Sequence, residues 1–286
     1  MRRDVTLSLV ALVAAMVSVQ FGASLAKGLF PALGPEGTTI CRCGLAALML
    51  LALRRPWREP LSRPALVAVA LYGASLGLMN LLFYLSIARI PLGVAVALEF
   101  TGPLSVALFA SRRARDLAWV VLAAVGIALI LPRSDSPRHL DPVGVSLALG
   151  AGACWALYIV LGQRAGKAVP GGAASALGMS VAALVVAPFG IARAGARLLD
   201  PSLWPLALAV AVFSSALPYS LEMHALRRLP ARTFGVLMSL EPALAALAGL
   251  VVLRERLTVA QGAAIACIMA ASLGSAASVG RGVVEP

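Results

Sequence analysis

The stretch PLGVAVALEFTGPLSVALF at residues 91–109 is answered by PARTFGVLMSLEPALAALA at residues 230–248. Each begins on a proline, carries a second proline twelve positions later, and holds one carboxylate, Glu99 or Glu241, shortly before that second proline. The copies lie 139 residues apart, and the register continues without a gap, so that Arg115 and Asp116 fall on Arg254 and Glu255. An internal repeat of this length constrains the architecture before any residue is given a role.

Working outward, the chain has 286 residues, of which 60% are hydrophobic and 13% charged. A soluble domain of this size cannot bury so much apolar surface, so the composition points to an all-α polytopic membrane protein surrounded by lipid. Ten segments have spanning character: 5–25, 38–53, 65–88, 92–110, 117–131, 143–161, 173–191, 203–226, 233–253 and 257–279. Proline and glycine clusters separate them, among them Pro31/Gly34/Pro35, Pro56/Pro60/Pro64 and Pro132/Pro137/Pro142. The apolar run after Arg2 and Arg3 is too long for a leader's core and is read as the first span.

The formal charge of +12 does not indicate nucleic acid, because the basic residues sit in short clusters between apolar runs rather than among aromatics. With the N-terminus inside, the inner loops hold 15 of the 24 basic residues, which predicts cytoplasmic termini in a multi-pass membrane protein. Five spans per repeat is an odd number. The second half must then enter the membrane from the opposite side, giving two inverted five-helix repeats at residues 5–132 and 143–279. Secondary transporters built this way bind substrate near the midplane between the halves.

Glu99 and Glu241 lie near the centres of their spans, where a carboxylate costs about 2.5 kcal/mol or more and must face protein or water. Each is a default candidate for function. Pro103 and Pro242 remove a backbone donor close to each, which frees a carbonyl one turn earlier. Polar residues at helical spacing mark further faces. The first span carries Gln20, Ser24 and Lys27; the third carries Gly73, Gly77, Asn80 and Tyr84. The sixth carries Trp155, Tyr158 and Gly162, and the eighth Ser215, Tyr219 and Glu222. With the fourth and ninth spans these four are expected to line a central cleft, and interhelical hydrogen bonding is the alternative for each stripe. Glu222 is five residues from Arg227, so an ion pair competes with substrate contact there; His224 is read as structural. Lys27 and Arg42 are read at the outer ends of the first two spans, as anchors, partners of the Glu residues, or ligands for a substrate carboxylate.

Cys41, Cys43, Cys154 and Cys267 fall within apolar segments without metal spacing, and no cofactor or metal is expected. Gly262, Ala266, Ala270, Gly274 and Ser278 make a small-residue stripe that admits a close helix neighbour. The fifth span of the same chain is the favoured neighbour, which favours a monomer. A dimer through Gly262, Ala266, Ala270 and Gly274 is the alternative.

The segments GLMNLLFYLSIARIPLGVAVALEFTGPLSVALF, LGAGACWALYIVLGQRAG and SALPYSLEMHALRRLPARTFGVLMSLEPALA carry a family likeness. The chain resembles the EamA branch of the drug/metabolite transporter superfamily, and within it the threonine/homoserine exporters. The resemblance implies export of small amino acids from the cytoplasm across the bacterial inner membrane, driven by protons. A broad-specificity metabolite or drug exporter, or a passive facilitator of the same fold, is the alternative. An intramembrane enzyme is disfavoured: the sequence has no H-E-x-x-H, no G-x-S-x-G with a His partner and no nucleotide-binding loop.

An amino acid is a zwitterion, so a midplane site needs an anion for its ammonium and donors for its carboxylate. Glu99 or Glu241 can supply the first; Asn80, Tyr84, Tyr219 and Arg42 can supply the second. An apolar cleft disfavours a bare carboxylate, so proton and substrate ammonium are expected to compete for the same oxygens.

Overall fold

A computed structural model describes residues 2–58, 61–110, 117–130, 140–169, 173–218, 221 and 238–279. Tyr219, Glu222 and His224 lie outside the described residues, as do Arg112, Arg113 and Arg227. The described chain is helical and contains no strand: α1 (Arg2–Arg54), α2 (Arg63–Ile87), α3 (Leu92–Glu99), α4 (Thr101–Ala110), α5 (Leu117–Ile130), α6 (Pro142–Ala168), α7 (Ala173–Ala194), α8 (Trp204–Ala211), α9 (Glu241–Val251) and α10 (Val259–Val279). A π-helical segment, Val212–Ala216, continues α8. Among the described residues four helical runs are long and apolar enough to cross a membrane: Leu7–Arg54, Arg63–Ile87, Pro142–Ala168 and Ala173–Leu199. Shorter apolar helices fall within the remaining expected spans.

The helix starts follow from local chemistry. Ser62 caps α2 by accepting from the Ala65 amide at 3.3 Å, with Pro64 in the first turn. Asp141 does the same for α6 through Val143 at 2.8 Å, with Pro142 at its start. Both arrangements satisfy an orphan amide and place a proline where its missing N–H breaks no helical bond.

The first two expected spans form one helical run with a sharp bend at Gly34, whose φ is 70° and ψ 168°. Pro35 disfavours α geometry at the residue before it, and glycine supplies the positive φ without a Cβ penalty. The bend is held from outside: Arg197 donates to the Ala32 carbonyl at 3.2 Å, and a Cβ on Gly34 would strike Arg193. One consequence concerns depth. Arg42, placed by the sequence at an outer helix end, lies eight residues past the bend, about 12 Å into the helix, and is buried.

The other break falls where the prolines predict. α3 ends at Glu99 and α4 resumes at Thr101, with Pro103 in its first turn; α9 begins at Glu241 with Pro242 next. At the first break the helix lies backbone to backbone on α6. A Cβ on Gly102 would overlap the Gly152 carbonyl, and one on Gly152 would meet the Glu99 carbonyl at 2.7 Å. Glycine at both positions is therefore what fixes the depth of Glu99 against α6.

The helices pack in a definite set of pairs. α2 lies against α6 and α7; α1 against α7, α8 and the π segment; α3 against α9 and α6; and α5 against α10. Two expectations change as a result. Gly73 and Gly77 of α2 do not open on a cleft: a Cβ on either would collide with α7, at Gly178/Val181 and at Ala182. On α10, α5 approaches through Gly126 onto Ala264, Cys267 and Ile268, and through Trp119 onto Gly274. Gly262, Ala266 and Ala270 stay exposed, so most of the small-residue stripe is not the α5 contact. The reason is steric: Gly126 makes α5's own close approach, one face away from the stripe.

Candidate functional site

Glu99 and Glu241 come to the same buried region, each only 7% exposed. Glu99 lies within electrostatic reach of both Glu241 and Arg42. Gln20 of α1 donates from Nε2 to Glu241 Oε1 at 3.2 Å, while its own Oε1 is buried without a hydrogen-bond partner among the described residues. Among those residues Glu99 receives no side-chain hydrogen bond and forms no ion pair. Among the described residues two carboxyl groups thus share one interior with one guanidinium, and the neutral Gln20 donor reaches the second of them.

Arg42 is fixed by the π segment. Its Nη2 donates to the Ser214 carbonyl at 3.0 Å and its Nε to Ser215 Oγ at 3.2 Å. A π turn releases carbonyls from the ordinary helical ladder, and here one of them takes a charged donor. The guanidinium lies 5.3 Å from the centroid of the Tyr84 ring, a cation–π arrangement in a buried setting. The first half of α1 contacts the same segment. Ser18 Oγ donates to the Phe213 carbonyl at 2.7 Å, and Gly22 allows backbone contact with Phe213 and Ser214. Tyr84 is fully buried, with Arg42 and Ser214 as its polar neighbours.

The remaining sequence candidates divide. Trp155 packs edge-to-face on Phe100, the residue after Glu99, at 5.5 Å between centroids, so it borders the break. Asn80 is buried, but its amide is engaged by its own helix, donating to the Leu76 carbonyl at 2.8 Å. Tyr158 stacks on Tyr72 at 5.1 Å, within the apolar cluster of α2, α6 and α7 rather than beside the carboxylates.

Lys27 is paired with neither central Glu. Its Nζ lies 2.6 Å from Glu255 Oε1, and Glu255 Oε2 accepts from the Leu92 amide at the start of α3 at 2.8 Å. This joins α1, the α2–α3 turn and the α9–α10 turn at one end of the molecule.

Sequence reasoning missed Ser214 and Glu255. The adjacent Ser214 and Ser215 in an apolar run are the visible signal for the first. For Glu255 it is the acid directly after Arg254, in register with Arg115 and Asp116.

The profile of the EamA-like transporter family matches residues 142–276. The threonine/homoserine exporter RhtA of Escherichia coli (strain K12) is 55% identical over 278 residues, covering 97% of this chain and 94% of that protein. RhtA of Salmonella typhimurium is 54% identical over 277 residues, with the same coverage. A crystal structure of a protein 17% identical to this chain superposes with a TM-score of 0.58, covering 96% of this chain and 99% of the other, and supports the fold alone. The relatives are transporters rather than enzymes. With near-complete coverage at more than half identity, and a buried cluster of ionisable groups inside an all-helical apolar body, the chain belongs to the EamA-like transporter family.

Proposed function

We propose that the protein is a secondary-active exporter of small amino acids of the threonine and homoserine type, working by exchange with protons across the bacterial inner membrane. The observation that carries the mechanism is the asymmetry of the buried cluster: among the described residues Glu99 has neither a hydrogen bond nor an ion pair, while Glu241 is held by Gln20. The names of relatives 55% identical over nearly the whole chain support the substrate class.

In this reading Glu99 alternately takes a proton and the substrate ammonium. The two cations compete for one pair of oxygens, so one leaves as the other enters, which is the physical basis of antiport. Arg42, held by Ser214 and Ser215, offers its guanidinium to the substrate carboxylate. Tyr84 and Trp155 border that space; Asn80, Tyr219 and Glu222 take secondary roles as donors or walls, and Tyr158, stacked on Tyr72, is left out of it. Glu241 is the partner carboxylate from the second half.

Alternation needs two halves that rock against one another, and we assign these to inverted five-helix repeats at 5–132 and 143–279, with cytoplasmic termini. The packing pairs support this. A shift of 139 residues turns the contact of the third span with the sixth into that of the eighth with the first, and both contacts occur. The second–seventh, fourth–ninth and fifth–tenth pairs map onto themselves and also occur. One chain is taken as the working unit, with the exposed Gly262/Ala266/Ala270 face as the route to any dimer.

The test is uptake of labelled threonine into proteoliposomes containing the purified protein. Counterflow together with accumulation under an imposed pH gradient, competed by homoserine, supports the proposal. Equilibration without counterflow indicates a passive facilitator. Competition by unrelated organic cations but not amino acids indicates a broad exporter. Cysteines introduced at Ser62 and at Ser136 should label from opposite sides of the membrane; labelling of both from one side removes the inverted repeat.

A further inference from the structure

Away from the carboxylate cluster, α2 and α6 border an open groove of about 460 Å³. Its floor is apolar, made by Val67, Ala68 and Leu71 of α2 and Leu161 of α6, and its rim carries Arg63 and Arg164. The two helices run antiparallel, since Arg89 beyond the far end of α2 pairs with Asp141 at the start of α6 at 2.8 Å. Arg63 therefore begins α2 at the same end at which Arg164 approaches the close of α6.

Both guanidiniums are exposed, and neither has a hydrogen bond or ion pair among the described residues. Arg63 is unusual in place as well as in company. It occupies the first turn of α2, where the helix dipole disfavours a cation, and that turn has no acidic residue to offset it. An anion from outside the chain would satisfy the dipole and both arginines together. Trp57, 67% exposed in the short turn before α2, marks the same level as a membrane interface, where tryptophan is enriched. From Arg63 to Leu71 the helix advances about 12 Å, so with Arg63 at headgroup level the apolar floor reaches into the hydrocarbon.

We propose that this groove is a binding site for one anionic glycerophospholipid of the cytoplasmic leaflet, its phosphate between Arg63 and Arg164 and one acyl chain along Val67, Ala68, Leu71 and Leu161. Charge complementarity selects the headgroup, and the apolar floor selects a lipid over a free phosphate. The site shares no residue with the Glu99–Arg42 cluster. It rests on the chain being membrane-embedded with cytoplasmic termini, but not on the choice of transported substrate or on proton coupling.

The experiment is native mass spectrometry and thermal unfolding of the purified full chain in detergent, titrated with dioleoyl phosphatidylglycerol, dioleoyl phosphatidylcholine or inorganic phosphate. Wild type should retain one phosphatidylglycerol more tightly than phosphatidylcholine. At a value near 1 kcal/mol per basic residue at an anionic surface, Arg63→Gln or Arg164→Gln alone should weaken it about fivefold, and both together about 30-fold. Ala68→Trp, which fills the floor and keeps both arginines, should also weaken phosphatidylglycerol binding. Arg256→Gln removes an exposed charge outside the groove and should leave it unchanged. Equal binding of the two lipids, equal loss in Arg256→Gln, no effect of Ala68→Trp, or displacement of the lipid by inorganic phosphate at comparable concentration would each overturn the site. Every variant can be assayed for threonine counterflow in parallel, so a failed lipid site leaves the transport reading separately testable.

Discussion

Glu255 and Glu99 are both carboxylates tucked among apolar helices, and the structure treats them in opposite ways. Glu255 engages both oxygens, one with the Lys27 ammonium at 2.6 Å and one with the Leu92 amide at 2.8 Å. Its own amide donates to the Gly249 carbonyl at 2.9 Å, closing the end of α9. Glu99 has no hydrogen bond or ion pair among the described residues, only the more distant fields of Arg42 and Glu241. A carboxylate with every oxygen answered fastens elements together. A buried one with none is costly unless a mobile cation visits it, which suits a carrier. The first lies at a helix end, where turns can bring backbone donors to it. The second lies at a break in the middle of a span, against the backbone of α6.

The comparison can be broken most directly at Glu99. Glu99→Gln keeps the shape and removes the charge, and one lost charge-assisted contact of about 1.5–3 kcal/mol converts to roughly 10–100-fold. Threonine export driven by a pH gradient should fall by that much while the protein still inserts and unfolds normally. Unchanged export with unchanged pH dependence would remove Glu99 from the mechanism.

At Glu255 the expected loss is of stability rather than coupling. Glu255→Gln or Lys27→Met should each destabilise by about 1–2 kcal/mol, because each leaves a partly buried charge without its partner. The double variant should recover part of the loss, as contacting partners do in a double-mutant cycle. Thermal unfolding in detergent reads this. Strictly additive losses would mean that the pair is not a fastening.

The smallest effect belongs to the exposed pair of Arg89 and Asp141. The Arg89 side chain, followed by the Val143 amide, holds the Asp141 carboxyl below its ordinary value of 3.8. Its contribution is therefore present above that value and is lost as pH falls through the lower folded one. Asp141→Asn should slightly lower the unfolding temperature at neutral pH, and the gap to wild type should close in acid. A gap that persists at low pH would assign the effect to helix capping alone.

Much of this is legible in the residues. Hydropathy and the spacing of prolines locate the helices, because a span needs a long apolar run and a proline interrupts the ladder wherever it falls. Glu99 and Glu241 stand out because an ionisable group in such a run is expensive. The illegible part is pairing. Arg42 looks like an outer-end residue because Pro31, Gly34 and Pro35 read as a loop, whereas they bend one helical run. The face of α10 that meets α5 differs from the expected stripe because Gly126, on the partner, decides it.

By itself the sequence determined the apolar helical body, the breaks beside Pro103 and Pro242, and the presence of two central carboxylates. These depend on residue type and short-range spacing, which are written locally. Only the tertiary structure decided that Arg42 meets Ser214 across 172 positions, that Gln20 meets Glu241 across 221, and that Lys27 meets Glu255 across 228. Such contacts follow from how whole helices cross. That crossing is set by steric fit at a few close approaches, such as Gly22 on the π segment and Gly102 on Gly152, rather than by the polar groups they bring together.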